Sequence, residues 1–306
     1  MRLIIRTMQD QILKLKREKD AVILAHNYQP PQIQDIADIV GDSLELARKA
    51  QKVEQEVIVF CGVDFMAETA KVLNPEKTIL QPAKEAICPM ATLLPPETMK
   101  KARKDHPNAE VVMYVNTHAA AKVYADVICT SANCVKIVEN MDSDEILFAP
   151  DAHLAHYVQK RTKKKIIPVP ESGLCVVHNN IMYEDVIKTR EKHPNALLTV
   201  HPETPPKVQE IADHIGSTSQ MIKYVKETDH DQFIIGTEIG LIHRMRKEAP
   251  GKTYIPACER AVCTNMKKTN LENLKQALEL EQHRVEIPED IAGKARAAIQ
   301  RMLDMR

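Results

Sequence analysis

The chain has 306 residues, with 42 Lys+Arg against 42 Asp+Glu, 44% apolar residues and 4% aromatics. This balance suits a well-cored globular protein and excludes a disordered one, and a formal net charge of zero gives no electrostatic reason to expect nucleic acid or an anionic membrane as a partner. No stretch approaches the roughly 18 apolar residues of a membrane span, and the opening MRLIIRTMQDQILKLK interrupts its apolar run at Arg6, Gln9 and Asp10, so no secretory signal is expected and the protein is placed in the cytoplasm.

Short β-branched runs alternate with amphipathic stretches along the chain, the pattern of an α/β fold with parallel sheets covered by helices. From the start, the sequence predicts a strand over 21–25, a short helix over 31–37, a strand over 38–41 and a helix over 43–53. A strand over 57–61, a helix over 65–73 and a fourth strand over 78–80 follow. The same succession then recurs. HPNAEVVMYVNT (106–117) returns as HPNALLTVHPET (193–204), and YADVICTS (124–131) matches both IADIVGDS (36–43) and IADHIGST (211–218). Ala37-Asp38, Ala125-Asp126 and Ala212-Asp213 coincide in this register. The runs VIVFCGVDFMAETAKVL, EILFAPDAHLAHYVQK and QFIIGTEIGLIHRMRK keep the same spacing, so the chain reads as three pseudo-symmetric αβα units, each with a four-stranded parallel sheet. The expected domains are 1–86, completed by C-terminal helices within 266–306, then 87–173, then 174–265.

Seven cysteines, an odd number in a reducing compartment, argue against a disulfide framework and for metal, cluster or nucleophile roles. Cys88, Cys175 and Cys263 are separated by 87 and 88 residues, the step of the repeat, whereas Cys61, Cys129, Cys134 and Cys258 have no cysteine counterparts. Three cysteines at equivalent places in pseudo-symmetric units can converge on one point. Three readings of such a set stay open: buried small hydrophobes, a zinc site with His178 as a fourth ligand, and a [4Fe-4S] cluster with one iron left open to act as a Lewis acid.

The first strand of each unit runs into a polar pair at matched positions: His26/Tyr28, Tyr114/Asn116 and His201/Glu203. Open α/β sheets place ligands at such carboxyl ends. The second strands end in GDS, CTS and GSTS, which puts Ser43, Ser131, Ser217 and Thr218 at or near helix N-termini, where capping or anion binding follows. Only eight glycines occur, with no GxGxxG and no GxxxxGK[ST], so capped helices are the expected anion holders. Arg161 to Lys165 reads as a solvated helix end, His153 and His156 lack an accompanying ligand motif, and Lys267-Lys268 reads as surface.

Taken together, AHNYQPPQIQDIADIVGDSLELA, CGVDFMAETAKVLNP, YVNT followed by CTSAN, GLCVVH, HPE, GSTSQM and CTNMKK resemble the quinolinate synthase family, the A proteins of de novo NAD biosynthesis, over nearly the whole chain. The resemblance implies three αβα domains arranged as a triangle around a central active site, and a transferase that condenses iminoaspartate with dihydroxyacetone phosphate to quinolinate, releasing phosphate and water. It implies Cys88, Cys175 and Cys263 as ligands of an oxygen-sensitive [4Fe-4S] cluster. His26, His201 and Glu203 become candidate acid/base groups, with Tyr28, Tyr114 and Asn116 orienting or protonating intermediates, and Ser43, Ser131, Ser217 and Thr218 binding substrate anions. A transient partner enzyme supplying iminoaspartate is a further implication. Some family members carry a CxxCxxC group near the last ligand, where this chain has only Cys258 and Cys263. Another [4Fe-4S] hydro-lyase and a non-catalytic iron–sulfur sensor are the alternative readings.

Overall fold

The structure is a computed structural model and describes residues 2–305; Met1 and Arg306, the outermost residues of the expected first domain, lie outside the described residues. Its strands are β1 (Ala21–His26), β2 (Ile39–Gly41), β3 (Val57–Cys61), β4 (Thr78–Leu80), β5 (Glu110–Tyr114) and β6 (Val127–Cys129), followed by β7 (Glu145–Ala149), β8 (Lys165–Pro168), β9 (Leu197–Val200), β10 (His214–Ile215), β11 (Gln232–Gly236) and β12 (Thr253–Pro256). They form three four-stranded sheets, ordered β2-β1-β3-β4, β6-β5-β7-β8 and β10-β9-β11-β12. Every pairing is parallel and the register recurs: Leu24 faces Ile39 and Phe60, Val112 faces Val127 and Phe148, and Thr199 faces His214 and Ile235. The α/β class and the three four-stranded parallel sheets expected from the repeat are therefore observed. β1 and β3 are buried throughout, which is why their sequences are continuous apolar runs rather than alternating ones.

The Ala-Asp dipeptide of each repeat has a structural cause. The side chains of Asp38, Asp126 and Asp213 accept the backbone N–H of Ile23, Val111 and Leu198 at 2.8, 2.7 and 2.7 Å. Their own N–H groups donate to the carbonyls of those same three residues, so each aspartate locks the start of a second strand onto a first. Lys16, Arg103 and Arg190, again 87 residues apart, pair with the three aspartates. This lock also shortens the first expected helix: Pro31–Gln34 stops before Asp38, rather than running to 37.

The chain divides into two compact units, 1–88 with 263–296, and 89–262 with 297–306. In the first, the tail folds back on the first sheet. Leu271, Leu274 and Leu278 of the helix Leu271–Leu280 join Ile12, Ile23, Val59 and Leu80 in one core. At about 1.5–3 kcal/mol for each fully buried aliphatic side chain, this helix is a substantial part of that unit's stability. Val285 N–H donates to the Ile79 carbonyl at 2.9 Å and Gln81 N–H to the His283 carbonyl at 3.1 Å, continuing the tail alongside β4. In the second unit, Phe148 and Phe233 are fully buried at the centres of the two sheets, and Leu154 and Val158 of the helix Ala152–Gln159 are buried with them.

The Arg161–Lys165 run is not simply a helix end. That helix stops at Gln159, Arg161 lies 3.8 Å over the Tyr157 ring, and Lys165 opens β8 and pairs with Glu145 at 2.7 Å. Among the described residues, no helix is long and apolar enough to cross a membrane.

Candidate active site

In the unit containing 89–262, polar side chains gather at the carboxyl ends of the strands. Glu203, three residues beyond β9, is buried and sets its Oε2 2.7 Å from His178 Nδ1. His178 Nε2 lies 2.8 Å from the hydroxyl of Thr237, just past β11. Nδ1 thus faces the carboxylate and Nε2 the Thr237 hydroxyl, so both ring nitrogens are engaged. The same Nδ1 lies 3.2 Å from Cys175 Sγ. Cys175, His178 and Glu203 thus present ligand-type atoms within 4.8 Å of one another, a possible metal-binding group.

His201 stacks on His178 with ring centroids 4.6 Å apart. Its Nε2 is 3.1 Å from Ser131 Oγ, and its Nδ1 accepts the Glu203 N–H at 3.3 Å while lying 3.4 Å from Glu203 Oε2. Burial works to raise the Glu203 carboxyl, but His178 and His201, with hydrogen bonds from His178 and the Tyr114 hydroxyl, bring it down to about 2. Asn116 Nδ2 approaches Glu203 Oε1 at 3.4 Å, and Asn116 Oδ1 is buried with no hydrogen-bond partner. Tyr114, Asn116, Ser131, His201 and Glu203, singled out by repeat position, are therefore one contiguous group.

In the other unit, Tyr28 N–H donates to His26 Nδ1 at 3.2 Å, repeating the bond from Glu203 to His201. Tyr28 stands edge-on to His26 at 4.5 Å. The segment following Cys263 is stitched to this loop: Gln29 Nε2 donates to the Met266 carbonyl at 2.9 Å and Lys267 to the Tyr28 carbonyl. Lys268 donates to the Glu85 carbonyl at 2.6 Å, on the stretch leading to Cys88. The two lysines read as surface thus have a defined task, tying the segment after Cys263 to the two loops.

The serine expectations divide. Ser217 caps the helix Thr218–Glu227 through a capping box with Gln220, and Thr218, in its first turn, is buried. Ser43 does not cap: Asp42 takes that role, accepting Glu45 N–H at 2.9 Å, since a carboxylate competes better for the positive end of a helix. Ser131 precedes a helix of only six residues (Cys134–Glu139) that has no side-chain cap, and its hydroxyl faces His201 instead. His153 and His156 form no chelating pair; His153 Nδ1 is 3.1 Å from the Glu203 carbonyl.

The seven cysteines sort as their spacing does. Cys61, Cys129, Cys134 and Cys258 are buried, whereas Cys88, Cys175 and Cys263 are only partly so. Burial pushes the thiols of Cys61 and Cys129 well up and that of Cys134 to about 12. Two of the partly buried cysteines are fixed by acidic side chains that the repeat also carries. Asp64 Oδ1 accepts Cys88 N–H at 2.9 Å, and Asp151 Oδ2, 87 positions on, accepts Cys175 N–H at 3.0 Å. A further 87 residues on lies Glu238, fully buried and accepting Gly240 N–H at 2.7 Å. The acidic residue at one step of the period was the available signal. Gly173 belongs to the same device, because a Cβ there would sit 1.9 Å from the Pro150 carbonyl oxygen, so only glycine lets the Cys175 loop lie against the turn carrying Asp151.

A family model described as quinolinate synthetase A protein matches residues 10–304. The chain belongs to this family. Among proteins named quinolinate synthase, that of Pyrococcus horikoshii is 53% identical over 296 residues, covering 97% of this chain and 98% of the relative. That of Methanoregula boonei is 50% identical over 296 residues, 97% of each chain, and that of Methanocaldococcus jannaschii 50% identical over 299 residues, 96% of this chain and 97% of the relative. In this family member, all the site groups described above fall within the matched range.

Proposed function

We propose that the protein is a quinolinate synthase, a transferase that condenses iminoaspartate with dihydroxyacetone phosphate to quinolinate, releasing phosphate and water. The family match along residues 10–304 carries the reading. The site chemistry supports it, because the route needs phosphate loss, carbon–carbon bond formation, isomerisation, imine closure and dehydration, and several of these steps move protons. A cytoplasmic setting, where an iron–sulfur protein finds its thiols reduced, goes with the reading, as does a transient partner enzyme that supplies the unstable imine. We further place domain boundaries near 86, 173 and 265, with 266–306 completing the first domain.

Cys88, Cys175 and Cys263 are proposed as ligands of one [4Fe-4S] cluster. The donor set fits: these are the three cysteines not fully buried, thiolates are the ligands such clusters take, and Cys88 and Cys175 are fixed by matching aspartate bonds. When bound, the cluster supplies an iron with an open position that acts as a Lewis acid in dehydration. His178 serves beside it as a hydrogen-bond donor rather than a zinc ligand, since its Nδ1 is engaged by Glu203 at 2.7 Å.

The chain's own residues divide the remaining work. Glu203, with its lowered pKa, is a weak proton acceptor, and its carboxylate orients the rings of His178 and His201, as the aspartate of a catalytic triad does for its histidine. His201 moves a proton through Nε2, the edge shared with Ser131. Tyr114 and Asn116 orient the substrate, and the partnerless Asn116 Oδ1 is an acceptor for an amine or imine N–H. His26 and Tyr28 offer a second proton-transfer pair. Ser43, Ser131, Ser217 and Thr218 bind carboxylate or phosphate oxygens. The test is an anaerobic incubation of reconstituted protein with both substrates and detection of quinolinate by mass; turnover of another hydroxy acid without any quinolinate would favour a different hydro-lyase.

A further inference from the structure

One ring of the site is held at both nitrogens. Thr237, the first residue past β11, is 1% exposed and sets its hydroxyl 2.8 Å from His178 Nε2, while Glu203 Oε2 stands 2.7 Å from His178 Nδ1. A threonine hydroxyl both donates and accepts, so it bonds the ring whichever nitrogen carries the proton. The backbone beneath it is fixed too. The Gly236 carbonyl accepts the His201 N–H at 3.0 Å, and a Cβ on Gly236 would lie 2.6 Å from Val200 Cγ1, so β9 and β11 run close together where His201 and Thr237 leave them.

The repeat shows that the fold does not require this pair. Ala91, His178 and Met266 each stand three residues beyond a cysteine of the period, and all three are buried. Gly62, Pro150 and Thr237 each follow the third strand of a repeat. Two repeats thus fill both places without a polar side chain. The repeat whose first strand leads into His201 and Glu203 is the one that puts an imidazole and a hydroxyl there. Burying a hydroxyl costs its hydration, which the bond to His178 offsets, whereas valine has the same shape and avoids the cost.

We infer that Thr237 is a positioning residue: its hydroxyl, opposite Glu203, holds the His178 ring in the plane on which His201 stacks at 4.6 Å. The inference deepens the proposed function and rests on it, because His201 is there the group that moves a proton through Nε2, 3.1 Å from Ser131 Oγ. Without the hydroxyl the His178 ring turns about its contact with Glu203, and the stacked His201 shifts with it. A displacement of about 1 Å at a reacting group costs up to about 10²-fold in rate.

The experiment compares Thr237→Val, which keeps the shape, and Thr237→Ser, which keeps the hydroxyl, with the wild-type holoenzyme. Steady-state turnover of both substrates is measured anaerobically, with iron content and calorimetric binding of quinolinate on the same samples. Thr237→Val is expected to lower kcat by about tenfold while KM and the quinolinate Kd change less than about threefold and iron stays complete; Thr237→Ser returns kcat to within about threefold of wild type. A Thr237→Val enzyme with wild-type kcat, or a Thr237→Ser enzyme as slow as Thr237→Val, overturns the inference. So does a Thr237→Val protein that fails to fold or loses iron in step with turnover, because the hydroxyl would then serve the structure. Wild-type holoenzyme that forms no quinolinate would instead overturn the quinolinate synthase reading itself.

Discussion

Glu203 Oε2 lies 2.7 Å from His178 Nδ1, with both side chains buried and His178 Nδ1 3.2 Å from Cys175 Sγ. This contact joins a cysteine of the repeat to a carboxylate that also faces His201. Glu203→Gln keeps the size and one acceptor but removes the negative charge that faces His178 and His201. Turnover is expected to fall by about 10²–10⁴-fold while iron content and circular dichroism stay as in wild type. Near-native turnover would remove Glu203 from the site.

The cysteines differ in reactivity as well as position. Burial raises the thiols of Cys61 and Cys129, and lifts Cys134 to about 12, so at pH 8 these groups hold almost no thiolate and no path for a reagent. Iodoacetamide applied to metal-free native protein is expected to modify Cys88, Cys175 and Cys263 first, as read by peptide mass. Early labelling of Cys134 would contradict this order.

Asp151 is tied to Cys175 N–H at 3.0 Å and caps the helix Ala152–Gln159 through Leu154 N–H at 2.7 Å. Asp151→Ala removes both acceptors. The expected result is a folded protein, destabilised by about 1–3 kcal/mol, whose Cys175 is alkylated faster than that of wild type and whose iron is lost sooner to a chelator. An unchanged rate of iron loss would show that the loop holds the cysteine without its aspartate.

Asp126 tests the repeat lock away from the site. Asp126→Ala leaves the Val111 N–H without its 2.7 Å acceptor and Arg103 without its carboxylate, though still bonded to the Tyr124 carbonyl. The strand bond dominates, because the ion pair is partly exposed and screened. A loss of about 1–3 kcal/mol in chemical denaturation is expected, with kcat little changed. A neutral effect on stability would mean the dipeptide repeats for another reason.

The period made much of this architecture legible. Ile23, Val111 and Leu198 share a register because each bonds an aspartate 15 residues on, and aligned Ala-Asp pairs register that constraint directly. The polar groups at strand ends were visible for the same reason. What the repeat could not convey is side-chain direction. Ser131 and Ser43 look alike in sequence, yet one faces a histidine and the other follows a better cap. His178 has no periodic counterpart, and its place beside Glu203 depends on how a four-residue helix, Val176–Asn179, presents it. Asp151 was within reach of a complete alignment of the three repeats, which keeps an acidic position there.

Under the proposed function, quinolinate is made at a site whose cluster is held by Cys88, Cys175 and Cys263. The most direct measurement assays quinolinate formation from iminoaspartate and dihydroxyacetone phosphate by anaerobically reconstituted wild type and Cys175→Ala, with iron and sulfide determined on the same samples. Wild type is expected to hold a complete cluster and form quinolinate, and Cys175→Ala to do neither while remaining folded. A Cys175→Ala protein with a full cluster and wild-type turnover would contradict the claim.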